Sequence, residues 1–279
     1  MLKHYYPSNL QECLEILDKN DCYILAGGTD LMVQKHRSRG LLPNFDRDVV
    51  YVSHLKELHF IKEDEKEIHI GAAVKYIELL NSDIIPQYLK DVILEIASPQ
   101  IRNMATLTGN IGNASPAGDS LPALYAFDAR LVIQSLNNRR EIALKDFILS
   151  VRKTDHKKEE IITEIIIPKN NLKYFWKKVG SRNSESISKV SFFGAYQVEN
   201  GILKDLRIAF GSVSVTVVRN KEVENKYIGM KIDEFKAHLP EICEEYAKLI
   251  APINDQRSTK EYREKVAINI LKKFIRSIE

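Results

Sequence analysis

The chain has 279 residues, 44% of them hydrophobic and 28% charged, with a mean hydropathy of −0.25, the composition of a globular protein long enough for two or three modest domains. Its 41 basic and 38 acidic residues leave a net charge of +3, interspersed along the sequence and too balanced for a nucleic-acid-binding surface. No apolar run is long enough to cross a bilayer, and the opening Met1 to Pro7 lacks the apolar core of a signal peptide, so a cytoplasmic protein with no membrane contact is expected.

Ser8 and Gln11 form a capping-box pattern, and Leu10, Cys13, Leu14 and Leu17 share one helical face, which predicts a first helix after Pro7. The apolar run Cys22 to Leu25 then reads as a short strand that stops at Gly27-Gly28. Two adjacent glycines lack two Cβ atoms, so the backbone can reach positive φ and a large anion can approach its N–H groups. A helix starting there would aim its unpaired donors at the same spot. An ordinary turn is the competing reading of a glycine pair. The basic run Lys35-His36-Arg37-Ser38-Arg39 reads as a solvated helix end or a contact to phosphate or a partner. Asp48 to Val52 is a second strand, closing a β/α/β subdomain near Ser53.

From Leu58 to Ile61 and from Ile68 to Gly71 the pattern predicts a hairpin around the charged turn Glu63 to Lys66. Helices are expected over Val74 to Asn81, Pro86 to Ala97 and Asp119 to Phe127. Between the last two runs Ala105 to Pro122, a stretch dense in glycine, hydroxyls and carboxamides that has little to bury, read as a long ligand-wrapping loop. Arg130 to Ser135 and Glu141 to Leu144 predict a strand pair joined through Asn137-Asn138, and the β-branched run Ile161 to Ile167, closed by Pro168, predicts a buried strand. Three antiparallel strands are then expected over Lys173 to Val179, Lys189 to Val198 and Ile202 to Phe210, the last two joined at Asn200-Gly201. Helices over Asp233 to Ile250, interrupted at Pro240, and Thr259 to Ile278 complete the chain; in the latter Tyr262, Val266, Ile270 and Phe274 recur every fourth residue. The domains follow as 1–53, 54–168 and 169–279, in an α+β chain.

Cys13, Cys22 and Cys243 are scattered, so they read as reduced core thiols and cannot ligate an iron–sulfur cluster, which takes about four thiolates. No histidine spacing suggests a metal site, and no base, nucleophile or catalytic constellation stands out.

With both glycine-rich stretches in view, the chain resembles the FAD-binding medium subunit of the molybdenum hydroxylases, the group of bacterial xanthine dehydrogenase, carbon monoxide dehydrogenase and nicotinate dehydrogenase. Ala26-Gly27-Gly28-Thr29-Asp30-Leu31 is similar to that family's first flavin loop. Ala105-Thr106-Leu107-Thr108-Gly109-Asn110-Ile111, followed by Ala114-Ser115-Pro116 and Asp119, is similar to its second. The resemblance implies an FAD-binding N-terminal region of two α/β parts, like that of vanillyl-alcohol-oxidase-type flavoproteins, followed by a C-terminal antiparallel sheet with covering helices. It carries the FAD diphosphate to Leu25, Ala26, Gly27, Gly28, Thr29, Asp30 and Leu31, and further FAD contacts to Thr106, Leu107, Gly109, Asn110, Ser115 and Asp119. Asp119, a poor neighbour for phosphate, is assigned to ribityl or ribose hydroxyls or to capping its own helix. Lys178 matches a family lysine at the isoalloxazine end, against the reading of a solvated strand lysine, and Ile162 matches a ring contact, against that of a core isoleucine. Thr108 stands where relatives carry glycine, and a positive φ there would strain it.

The function implied is electron relay. Substrate, with xanthine or a related purine expected, is oxidised on a molybdopterin-binding large subunit; electrons cross an iron–sulfur small subunit, and FAD on this chain passes them to NAD⁺ or another acceptor. A free-standing flavin oxidoreductase and a cofactor-free scaffold of the same fold are the alternatives.

Overall fold

A computed structural model describes residues 2–38 and 40–279, which fall into two units: 1–86, 98–114 and 128–169 form the first, and 87–97, 115–127 and 170–279 the second. Met1 of the opening segment and Arg39 of the basic run lie outside the described residues.

In the first unit the helix Leu10–Lys19 buries Cys13, Leu14 and Leu17 against Cys22, Val50 and Val52 of a small parallel sheet. Its cap is Asn9, whose side chain accepts from the Glu12 N–H at 2.9 Å, while Glu12 reaches back to the Ser8 N–H and hydroxyl at 2.7 and 2.6 Å. The reciprocal arrangement thus sits one residue later than the Ser8/Gln11 pattern suggested, because asparagine caps as well as serine does. Strand Cys22–Leu25 pairs in parallel with Asp48–Tyr51, and a two-residue strand, His4–Tyr5, adds to the far side of Asp48–Tyr51.

A five-stranded antiparallel sheet occupies the rest of this unit, in the spatial order Ile61–Glu63, Glu67–Gly71, Ile161–Pro168, Arg130–Gln134, Arg139–Ala143. Ile161–Pro168 is central and, apart from Pro168, buried throughout, as its unbroken β-branched run requires. The first strand of the expected hairpin starts three residues late. Lys56–Leu58 is instead a 3₁₀ turn that buries Leu55 and Leu58 in the core of the small sheet, and the Leu58 carbonyl accepts from Ala73 N–H at 3.0 Å. The stretch expected as a long loop, Ala105 to Pro122, contains the helix Leu107–Asn113 and is preceded by the short helix Pro99–Arg102. In Leu107–Asn113, Thr106 caps the Gly109 N–H, and Leu107 and Ile111, four residues apart, are fully buried; one cap and one apolar pair outweigh the glycine content. A short hairpin, Ile148–Ser150 with Lys153–Thr154, also has no counterpart in the sequence pattern.

The second unit is built on the antiparallel sheet Lys173–Val179, Val190–Glu199, Ile202–Gly211, turned at Asn200 and Gly201 with φ of 52° and 72°, the left-handed pair of a tight hairpin. Leu239–Leu249 and Lys260–Ser277 cover it. The buried face of the last helix is Arg263, Ala267, Ile270, Leu271, Phe274 and Ile275. The expected stripe is rotated: Tyr262 is 44% exposed, and buried Arg263 takes the facing position because Asp255 and the carbonyls of Lys189 and Ser212 accept from its two terminal nitrogens. Gln87–Leu94 and Ser120–Ala126, two of the expected helices, also belong here.

Phe274 is fully buried among Phe175, Phe192 and Tyr196. Phe274→Ala is expected to lower unfolding stability by about 3–5 kcal/mol, read as a shift in the urea midpoint with an unchanged slope.

Candidate functional site

The parallel ladder ends where Val52 N–H reaches the Leu25 carbonyl at 3.0 Å, and the chain then turns through Ala26 to Leu31 into the single helical turn Leu31–Gln34. Gly28 has φ of +70°, the left-handed conformation that the glycine pair permits. Among the described residues, none of the backbone N–H groups from Ala26 through Leu31 has a hydrogen-bond acceptor, although all six residues are only partly exposed. Six successive donors without a protein acceptor, around a left-handed glycine, are a donor set available to an anion.

Gly27 explains how this turn meets the second glycine-rich stretch. A Cβ built on it would lie 2.0 Å from the Met104 carbonyl oxygen and 2.9 Å from Ala105 Cα, so backbone packs on backbone with no room for a methyl group. Ala105 is held in turn by Tyr76, whose N–H donates to its carbonyl at 2.9 Å. Thr106 and Leu107 are buried, Asn110 is half-buried and Gly109 is exposed on the helix that follows. That helix lies against Ile161–Pro168, where Ile162 is 6% exposed. Thr108 sits inside the helix and has no positive φ, so the strain that its place in a glycine-rich motif suggested does not arise. Its hydroxyl is buried without a protein partner.

A polar bridge that sequence reasoning missed ties the two stretches together. Gln34 Nε2 donates to the Asp30 carboxylate and, at 3.1 Å, to Asn113 Oδ1; Arg152 Nη1 donates to the same Asn113 oxygen at 3.0 Å and stands 3.6 Å from Asp30 Oδ2. Arg152 lies in the turn of the unforeseen hairpin with φ of 54°, and its N–H bonds the Ala114 carbonyl at 2.9 Å. No periodicity marks such a residue; a lone arginine between two short β-rich runs was the only available signal.

In the second unit Ser115 opens a turn, its carbonyl accepting from Gly118 N–H at 2.9 Å and its hydroxyl from Ala117 N–H at 3.3 Å. Asp119 precedes Ser120–Ala126 but makes no side-chain cap bond. Its carboxylate instead receives Lys178 Nζ at 2.8 Å and the Ser188 hydroxyl at 2.5 Å, and Lys178 also donates to the Glu95 carbonyl at 2.7 Å. The two side chains are only 8% and 7% exposed, so Lys178 is not a solvated strand lysine. Two of the three ammonium hydrogens are engaged by protein, leaving one to donate. Burial pushes the Asp119 carboxyl up, and Lys178 and Ser188 pull it back down. The three cysteines are buried and unbridged, and burial raises the Cys13 thiol to about 12 and Cys22 to about 11, which leaves both protonated and inert. Among the described residues no group of histidine, cysteine or carboxylate side chains could hold a metal ion, and no helix is long and apolar enough to cross a membrane.

The family model described as the FAD binding domain in molybdopterin dehydrogenase matches residues 1–170, and that described as the CO dehydrogenase flavoprotein C-terminal domain matches residues 176–278. The glyceraldehyde dehydrogenase medium chain of Sulfolobus acidocaldarius is 30% identical over 264 residues, covering 92% of this chain and 91% of that one. The xanthine dehydrogenase FAD-binding subunit of Escherichia coli O157:H7 is 27% identical over 280 aligned positions, covering 98% and 94%. In fold, the chain is similar to a chain of the Cu,Mo-CO dehydrogenase structure, with a TM-score of 0.87 at 24% identity over 98% of this chain and 95% of that one. It is equally similar to a chain of quinoline 2-oxidoreductase from Pseudomonas putida 86, with a TM-score of 0.88 at 21% identity over 99% and 95%.

Removing one partner of the Asp119–Lys178 pair strands a buried charge. Lys178→Met is expected to lower unfolding stability by about 3–5 kcal/mol, and the double variant with Asp119→Asn to recover much of the loss, read by urea denaturation. A carboxyl raised in the folded state binds its proton more tightly there than in the unfolded chain. Its stabilising contribution is therefore full below the ordinary carboxylate range and fades as pH rises through the raised value. Asp119→Asn alone should remove that decline from the stability measured at and above about pH 4.

Proposed function

The chain belongs to the family of FAD-binding subunits of the molybdenum hydroxylases, and from that premise we propose that it holds FAD on Leu25 through Leu31 and on the helix led by Thr106, and relays electrons as one subunit of an oxidoreductase complex. The observation that carries this assignment is the set of six unpaired N–H groups around Gly28, pressed by Gly27 onto the second glycine-rich stretch. The residues fit the cofactor: donors without acceptors suit its diphosphate, and the orphaned Thr108 hydroxyl and the buried apolar Leu107 and Ile162 suit its less polar parts.

When bound, FAD supplies the chemistry of accepting and passing on electrons singly or in pairs. The residues of this chain bind and orient. The Ala26 to Leu31 amides fix the diphosphate, and the Thr106 hydroxyl, spent on the Gly109 N–H, holds that helical turn in shape. On the second unit Ser115 and Asp119 are the matching positions. Asp119 there anchors Lys178, whose remaining ammonium hydrogen is the donor assigned to negative charge on the reduced ring. Gly109 and Asn110 complete the contacts assigned to the first unit. Substrate oxidation falls to a molybdopterin-binding large subunit and electron delivery to an iron–sulfur small subunit, since three buried, scattered thiols cannot ligate a cluster. A xanthine-dehydrogenase-like complex with NAD⁺ as acceptor is the specific form of this reading.

The purified chain saturated with FAD and freed of excess by gel filtration should retain one equivalent of yellow flavin, and ADP should compete where adenosine does not, because the seat is for the diphosphate. A protein that stays colourless and leaves flavin fluorescence unchanged refutes the assignment.

A further inference from the structure

Arg152 belongs to neither glycine-rich stretch, yet it is the cation fixed against both. Its backbone is locked in the left-handed region by the bond from its N–H to the Ala114 carbonyl at 2.9 Å. The side chain uses one terminal nitrogen, Nη1, on Asn113 Oδ1 at 3.0 Å and near Asp30 Oδ2 at 3.6 Å. Nη2 and Nε make no hydrogen bond or ion pair among the described residues, and the side chain is half-exposed. Asp30 is itself the fifth of the six residues whose N–H groups lack acceptors. A diphosphate placed on those donors would meet the Asp30 carboxylate as a like charge, and a guanidinium with free N–H groups beside that carboxylate removes the conflict and adds donors of the geometry phosphate prefers.

Resting on the flavin reading above, we propose that Arg152 is a direct ligand of the FAD diphosphate, the cationic third wall of a seat whose other two walls are the Gly27-Gly28 turn and the Met104 to Thr106 backbone. The hairpin Ile148–Ser150 and Lys153–Thr154 exists in this account to deliver one arginine. Asn113 orients it, and Asp30 is the anion it offsets.

The test measures FAD affinity of the isolated chain by fluorescence titration at several salt concentrations, with circular dichroism to confirm folding. Arg152→Gln should weaken FAD binding by about tenfold or more, the loss of a charge-assisted phosphate contact, and should flatten its salt dependence. Arg152→Lys should keep most of the affinity and the salt dependence. Asp30→Asn should act in the opposite direction and tighten binding, because a carboxylate is removed from beside the diphosphate while Arg152 is left in place. Wild-type affinity in Arg152→Gln overturns the proposal, as does equal weakening by Gln and Lys with unchanged salt dependence, or weakening by Asp30→Asn. A wild-type chain that takes up no FAD refutes the flavin assignment itself.

Discussion

The contact on which the rest of the site depends is the approach of Gly27 to the Met104 carbonyl, where a single methyl group would sit 2.0 Å from oxygen. Two stretches some eighty residues apart in sequence become one surface because Gly27 has no side chain and Met104 and Ala105 meet it with their backbone. Everything polar nearby follows from that closeness. The amides of Ala26 to Leu31 have no acceptor among the described residues, and Gln34 and Arg152 both reach Asn113. The close-packed backbone sets the distance, and the carboxamide bridge sets the register.

The second unit uses a different principle. There the buried charges are paired within the unit: Asp119 takes Lys178 and Ser188, and Arg263 takes Asp255 and two carbonyls. Burying a charge is costly unless it is paired and hydrogen-bonded. Among the described residues one ammonium hydrogen of Lys178 has no protein acceptor, and neither have the six amides of the first unit.

Most strands and helices were legible because their signals are local. Cys22–Leu25, Lys173–Val179 and the Asn200-Gly201 hairpin have the bounds that alternation and turn chemistry predict. Errors arose where a tertiary contact overrides a local one. Leu58 looks like the first residue of a strand but is drawn into a 3₁₀ turn by a core that belongs to the neighbouring sheet. Arg263 looks solvent-facing until Asp255 is known to lie opposite. The stretch from Ala105 looked irregular because glycine and hydroxyl content speak for loops, whereas a single Thr106 cap and the Leu107–Ile111 pair suffice for a helix once a strand lies beneath it. The glycine motifs announced the site, but Asn113, Gln34 and Arg152 could not be found by spacing, since what unites them is geometry across three segments. Lys178 and Asp119 were singled out separately, and only the fold joins them as a pair.

The second unit borrows Gln87–Leu94 and Ser120–Ala126 from the half of the chain that otherwise builds the first, so that the polypeptide passes between the units five times. The two family models meet near residue 170, where the last of the five crossings lies, but the four earlier crossings fall inside the first of them. A fragment cloned from 176–278 would lack both borrowed helices, and with them the Asp119 counterion of Lys178. For a gene fusion or a swap between homologues, the exchangeable cassette is thus the whole polypeptide, and recombination at the apparent junction would produce two orphans.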